Sequence, residues 1–145
     1  MSTREDAPTY PFSKILIEVI NQALPEASAR PARARTFKRV QSLISTGQIP
    51  LVLLSKKNAR AFINGTGPFR KFGKTKSFVI YNFGDLILLS EINFPNRHAW
   101  QLTKVFMDPV SESINANSPL ESRQVTDIHQ GALMALNGES IPELE

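Results

Sequence analysis

The chain has 145 residues, which is enough to bury the core of one domain and short for two. Its composition, 41% hydrophobic and 21% charged residues, is that of a globular protein, and no apolar run approaches the roughly 20 residues that cross a bilayer. A net charge of +4 is typical of a solvated basic face, the simpler interpretation, or of a protein with an anionic partner.

The first part of the chain predicts a leader, a helix and a loop. Residues 1–10 are polar and lack the apolar stretch of a signal peptide, so we expect a flexible leader before one domain over residues 11–145. Apolar residues recur at helical spacing over residues 12–24, and Pro25 ends that helix. Residues 27–34 contain Pro31 and predict at most a short edge strand before a loop.

A helix, a strand and a second helix follow in close succession. Thr36 is a suitable N-cap for a helix that Gly47 ends. Residues 49–54 form a nearly unbroken apolar run, which predicts a parallel strand covered on both faces. Residues 59–63 suit a short helix that Asn64 and Gly65 close.

The second half predicts two strands and two helices. Residues 65–76 are rich in turn residues and predict a connector. Two strand candidates over 77–83 and 86–92 are separated by Gly84 and Asp85, which fit either a hairpin or a sharp strand-to-strand bend. We expect a helix capped by Asn93 that runs to Met107. A polar loop over residues 110–126, with at most one helical turn, should precede a short helix over 130–136.

The sequence contains no recognisable catalytic motif. The glycine-rich connector lacks the lysine and hydroxyl residues that end a phosphate-binding loop. His98 and His129 are more typical of surface or hydrogen-bonding histidines than of a catalytic pair, and the absence of cysteine excludes thiol chemistry. We therefore predict a protein that is not an enzyme and that uses no cofactor or metal.

The predicted strand ends supply candidate ligand-binding residues. In open α/β sheets, ligands bind outside the carboxyl ends of the strands, where the N–H groups of helix N-termini face anions. Side chains at these ends offer hydroxyl, amide and guanidinium donors, and capping of the helices by Thr36 and Ser55 is an equally good interpretation. The predicted ligand-binding residues are Tyr10, Ser13, Arg35, Thr36, Ser55 and Asn58.

Four segments of the chain resemble the TAXI family of solute-binding proteins, which serve TRAP-type transporters. In order along the chain they are TGQIPLVLLSKKNARAFINGTGPF, YNFGDLILLSE, FPNRHAWQLTKVF and DIHQGALMALNGESIPE. The resemblance implies an α/β fold like one lobe of a type II periplasmic binding protein, with a small, mixed, mostly parallel sheet flanked by helices. Family members hold the solute between two lobes, whereas this chain resembles a single-lobe version.

The resemblance also implies a function, a partner and a compartment. It implies binding of a small anionic solute, a carboxylate or an amino acid, or docking on a transporter membrane subunit or another partner through the strand ends. It implies the periplasm, with the cytoplasm as the alternative because no signal peptide is seen. Two copies could form a homodimer that rebuilds a cleft. The competing hypothesis is a basic module that interacts with proteins or nucleic acid, although no nucleic-acid-binding motif is evident.

Overall fold

A computed structural model describes residues 1–6, 9–30, 32–107 and 127–143. These residues form a mixed α/β structure whose strands are β1 (Ser2–Thr3), β2 (Arg33–Ala34), β3 (Leu51–Ser55), β4 (Phe78–Asn82) and β5 (Leu86–Ser90). The helices are α1 (Thr9–Ala23), α2 (Phe37–Ser45), α3 (Lys56–Asn64), α4 (Asn96–Met107) and α5 (Gln130–Leu136), with short 3-10 helices at Pro25–Ala27 and Gly67–Phe72.

The strands form two small sheets that the first residue of the chain connects. One sheet is the parallel pair β1–β2, and the other has the order β3-β5-β4 with antiparallel pairing throughout. The Met1 amine donates to the Leu51 carbonyl at 2.9 Å, and the Leu53 amide donates to the Met1 carbonyl at 2.8 Å. This is the hydrogen-bond pattern of a parallel pair, so the chain before β1 joins β3 to the β1–β2 sheet.

Among the described strands, only β5 opposes the direction of the others. Since β3 and β4 are both antiparallel to β5, they run the same way, and β3 also runs parallel to the β1 segment. At the far edge, Val79 of β4 forms a parallel bridge with Ile128. The carboxyl ends of β1, β2, β3 and β4 therefore share one edge of the combined sheet.

The prediction that the apolar run forms a parallel strand was wrong about its main partner. All five residues of β3 pair with the antiparallel β5, and the parallel contact is confined to Met1. An apolar run reports burial of both faces and carries no information on the direction of the neighbouring strand. The hairpin turn at Gly84 and Asp85 is confirmed, and it brings β5 beside β4.

The expected burial of β3 on both faces is confirmed. Leu53 packs with α1, α4 and α5 in a cluster on one face of the sheet, where its neighbours include Leu16, Leu102 and Leu136. Val52 and Leu54 pack with α2 and α3 on the other face, in a cluster that contains Val40 and Phe62. Because successive side chains of a strand point to opposite faces, the unbroken apolar run supplies both clusters.

Several predicted element boundaries are confirmed and others shift. Thr36 caps α2 by accepting from the Arg39 amide at 3.2 Å, Gly47 after that helix has φ 71°, and the helix over Gln130–Leu136 is as predicted. In contrast, α3 begins at Lys56, directly after β3, and α4 begins at Asn96 with its first turn closed onto the Pro95 carbonyl. Asn93 is therefore not the cap of α4. The loop predicted over residues 110–126 lies outside the described residues.

The prediction of a flexible leader over residues 1–10 was wrong for the residues that the structure describes. Ser2 and Thr3 are fully buried within the β1–β2 pair, and the Arg4 amide donates to the Ala34 carbonyl at 3.0 Å. The helix α1 begins at Thr9, three residues before the predicted start. The polar side chains in this segment suggested solvent exposure, but their partners lie about 30 to 50 positions later in the sequence, beyond the reach of a local pattern.

Close packing of α4 against α5 depends on Gly131. A Cβ atom at that position would lie 2.1 Å from the Asn96 carbonyl oxygen. We expect Gly131→Ala to lower the free energy of unfolding by about 3 kcal/mol, because the clash is with backbone and cannot be relieved by a side-chain rotation. Urea denaturation measures the change. Gln130→Ala, an exposed substitution on the same helix, should change stability by less than about 0.5 kcal/mol; equal effects of the two substitutions would contradict this packing.

The Met1 amine gives the chain a pH-dependent stability when Met1 is produced as its first residue. Burial lowers the pKa of this amine from 8.0 to about 6, since desolvation disfavours the charged form. The folded state then binds fewer protons than the unfolded state between these values, so stability should rise by up to roughly 2 kcal/mol from pH 6 to pH 8. An N-acetylated chain keeps every other titrating group, and the pH profiles of the two forms should diverge only in this window. Superimposable profiles would contradict the expectation.

Candidate functional site

The sheet edge at which β1, β2 and β3 end forms a continuous polar surface, which we call the strand-end rim. It consists of residues 4–6 after β1, residues 35–37 after β2 and residues 55–58 at the end of β3 and the start of α3. Two helix N-termini, those of α2 and α3, open onto this rim. The structure thus places the two predicted ends of the site, Arg35–Thr36 and Ser55–Asn58, on one edge, as expected for strands that run in the same direction.

Two carboxylates of the chain itself occupy the helix N-termini of the rim. Glu5 Oε2 accepts from the Phe37 amide of α2 at 3.2 Å, and Asp6 Oδ2 accepts from the Ser55 amide before α3 at 2.7 Å. A helix N-terminus carries a partial positive charge and unpaired N–H groups, so a carboxylate is favoured there. Glu5 and Asp6 hold the positions in which the sequence hypothesis put the anionic group of a ligand.

Asp6 also starts the first helix. Its backbone carbonyl accepts from the Thr9 amide at 3.1 Å and from the Thr9 hydroxyl at 2.7 Å, and its side chain is 4% exposed. Together with Glu5, this residue contacts the beginnings of α1, α2 and α3. One acidic dipeptide therefore connects the starts of all three helices.

Every strand that ends at the rim is followed by an exposed cation. Arg4 follows β1, Arg35 follows β2, and Lys56 and Lys57 follow β3. Within the part of the chain that the structure describes, none of these side chains forms an ion pair, although two carboxylates lie nearby. The carboxylates are engaged by backbone amides instead, which leaves a row of cations facing solvent.

Some of the predicted site residues are exposed on the rim, and others cap a helix or hold the backbone in place. Arg35 is exposed on the rim, whereas the Thr36 hydroxyl is the N-cap of α2. Ser55 precedes α3 without a side-chain capping bond, and its amide is held by Asp6. Asn58 is half-buried in the first turn of α3. Helix capping is thus shown for Thr36 and not for the Ser55 side chain.

The other two predicted residues lie on α1. The Tyr10 ring is flanked by the Arg33 guanidinium, 4.2 Å from the ring centroid, and by the Lys14 ammonium at 4.8 Å. Cations held over an aromatic face in this way extend the basic surface from β2 onto α1. Ser13 is only 5% exposed and is therefore buried in the fold rather than open to a ligand.

Sequence reasoning missed the acidic pair that organises the rim. Glu5 and Asp6 lay in the segment expected to be flexible, and their amide partners are 32 and 49 residues away. One signal was present in the sequence: they are adjacent acids in a chain of net positive charge, shortly before the predicted start of a helix. Acids before a helix are a common N-terminal feature, although the pattern does not show which helix they serve.

One histidine is buried and hydrogen-bonded, and the other is exposed. His129 is 3% exposed; its Nδ1 accepts from the Gly131 amide at 3.0 Å, and its Nε2 donates to the Phe94 carbonyl at 2.6 Å. His129 is thus the N-cap of α5, and its second ring nitrogen connects α5 to the segment just before α4. His98 is exposed and lies edge-on to Phe94. The described residues contain no group of three or more histidine, aspartate or glutamate side chains placed to hold a metal ion.

Comparisons with known proteins leave the family undecided. No protein family, curated protein sequence or solved structure matches this chain. The resemblance to TAXI proteins stays a hypothesis based on the four sequence segments. Among the described helices, none has both the length and the apolar character needed to cross a membrane.

The bond between Asp6 and Ser55 can be tested by substitution and chemical rescue. We expect Asp6→Ala to lower the free energy of unfolding by about 2 kcal/mol, because it strips a buried amide of its charged acceptor. Formate should recover part of the lost melting temperature, since a small carboxylate fits where the side chain was removed. Glu5→Gln, at an exposed residue that keeps an amide oxygen, is the matched control and should cost less than about 0.5 kcal/mol.

Chloride at the same ionic strength controls for screening in this experiment. An Asp6→Ala protein as stable as the unsubstituted chain would show that the carboxylate does not hold the rim together.

Proposed function

We propose that this chain is a binding module, similar to one lobe of a TAXI-type solute-binding protein, whose strand-end rim docks an acidic surface of a partner protein. The observation that carries the proposal is the row of exposed cations, Arg4, Arg35, Lys56 and Lys57, without ion pairs in the described part of the chain. Such a row attracts an anionic surface and raises the rate of association.

A protein surface suits this rim better than a small enclosed solute. The amides of Phe37 and Ser55, which would cradle a small anion, already donate to Glu5 and Asp6. The cations of the rim are long side chains exposed to solvent, and each exposed ion pair contributes only about 0 to 1 kcal/mol. Several such pairs spread over a wide contact are therefore needed for useful affinity, and a small molecule cannot supply them.

The mixed α/β structure with small sheets is compatible with the coarse fold class of a solute-binding lobe, but its sheet is not mostly parallel. Both ladders of the three-stranded sheet are antiparallel, and only the β1–β2 pair and the Met1 contact are parallel. In this proposal, the partner is a transporter membrane subunit or another protein with an acidic patch, and the compartment is the periplasm. The proposed role is docking, with no catalytic step.

The charge of the rim argues against a homodimer that pairs two rims. Two copies placed face to face would bring Arg35 and the lysines of one rim against the same cations of the other. Like charges at short distance are destabilising, so an acidic partner is favoured over a second copy. Sedimentation velocity at low ionic strength should show a monomer.

An acidic peptide tests the docking proposal directly. The probe is a labelled peptide of about ten residues rich in aspartate and glutamate, titrated against the full chain by fluorescence anisotropy at low and physiological salt. Substituting Arg35, Lys56 and Lys57 together by Gln should weaken binding roughly tenfold, the sum of three surface pairs at about 0.5 kcal/mol each. The matched control replaces Arg70, Lys71 and Lys104 by Gln, which removes the same charge from exposed positions outside the rim.

Three results would overturn the proposal. Equal losses in the two triple variants would show that net charge alone attracts the peptide. A melting-temperature increase with succinate or glutamate that disappears in Arg35→Ala and in Thr36→Ala would establish a small-solute site instead. Tighter binding to duplex DNA than to the peptide, with a steep dependence on salt, would establish a nucleic-acid-binding module.

A further inference from the structure

A second polar surface lies at the opposite edge of the sheet from the strand-end rim. It is a groove of about 310 Å³ between the end of α2, the segment before β4 and the segment after β5. We call it the α2-end groove and define it by Gln41, Thr46, Lys74, Thr75, Lys76 and Glu91, which are among its lining residues. None of the residues proposed to dock a partner takes part in it.

One wall of the α2-end groove is negative. The C-terminus of α2 carries the negative end of the helix dipole, and its last turn contains no basic residue. The Glu91 carboxylate lies beside this helix end, since Oε2 would be 3.0 Å from a Cβ atom built on Gly47. Within the described residues Glu91 has no ion pair, so two like-signed groups stand together without a cation.

The other wall is positive. Lys74 and Lys76 are exposed. Neither ammonium lies within 4.0 Å of a carboxylate oxygen of the described residues, so neither forms an ion pair with them. Thr75 between them is 6% exposed, and its hydroxyl has no hydrogen-bond partner in the described part of the chain. That hydroxyl oxygen is closed to solvent, so the attraction for an anionic group comes from the two exposed lysines.

From these two walls we propose that the α2-end groove binds a small dipolar molecule that carries an ammonium group and an anionic oxygen group. The ammonium lies against Glu91 and the end of α2, where it separates two negative groups. The carboxylate or phosphate end lies against Lys74 and Lys76. Glu91 and the lysines line one groove without pairing with each other. A molecule charged at both ends therefore pairs with the carboxylate of one wall and the ammonium groups of the other.

The proposal predicts a preference for molecules charged at both ends. Glycine, β-alanine and 4-aminobutanoate are titrated into the ¹⁵N-labelled full chain, with butanoate and butylamine as singly charged comparisons. At least one of the three dipolar probes should bind about tenfold more tightly than either singly charged probe, because two sites are engaged together. The amide resonances of Gly47, Thr75 and Glu91 should shift along one saturable curve.

Substitutions separate the two walls. Glu91→Gln should remove the advantage of the dipolar probes over butanoate, while its backbone bonds to Pro50 and Phe94 stay available. Replacing Lys74 and Lys76 together by Gln should remove their advantage over butylamine, and these exposed side chains can be changed without disturbing the core. Asp85→Asn, which removes one exposed carboxylate at the opposite edge, is the control for Glu91→Gln and should leave every affinity unchanged.

Two outcomes would overturn the inference. Shifts that do not saturate, or that are equal for dipolar and singly charged probes, would show that the groove does not recognise such a molecule. An unchanged preference in Glu91→Gln would remove the negative wall from the site. Rim substitutions at Arg35, Lys56 and Lys57 should not alter any of these affinities, so the result stands apart from the docking proposal.

Discussion

The hydrogen bond between the Asp6 carboxylate and the Ser55 amide is the interaction on which the rim depends. It is 2.7 Å long, its acceptor residue Asp6 is buried, and it holds residues 1–6 in place between β2 and β3 in the combined sheet. Those residues contain β1 and Met1, which connect β2 to β3 through backbone hydrogen bonds. The same contact neutralises the start of α3 from inside the chain and leaves the cations around it facing outward.

The two edges of the sheet differ in how their charges are arranged. At the rim, Glu5 and Asp6 bond to backbone amides, so the exposed charge is that of the arginines and lysines. At the α2-end groove, Glu91 and two lysines line a common space, and no backbone amide of the described residues donates to the Glu91 carboxylate. One edge therefore presents a single sign over a broad surface, and the other presents both signs around one groove. These arrangements favour different classes of ligand.

Local sequence patterns predicted the elements better than their connections. The Thr36 cap, the hairpin at Gly84 and Asp85, and the helix over Gln130–Leu136 follow from spacing and turn chemistry within a few residues. The burial of β3 followed from its apolar run. Its antiparallel partner and the packing of residues 1–6 did not, because both depend on pairs far apart in the sequence. For the site, Arg35 and Thr36 were identified from the strand end, whereas Glu5 and Asp6 were not.

The long separation between Asp6 and Ser55 has a consequence for how the protein folds. The β4–β5 hairpin closes over a short turn, whereas the Asp6 contact closes a loop of 49 residues. Loop closure costs more entropy as the loop lengthens, so we expect the hairpin to form before residues 1–6 dock. The rim would then be completed after the hairpin. A chain arrested before that step exposes the amides of two helix N-termini, and during synthesis it would be open to capture by anions that the finished protein excludes.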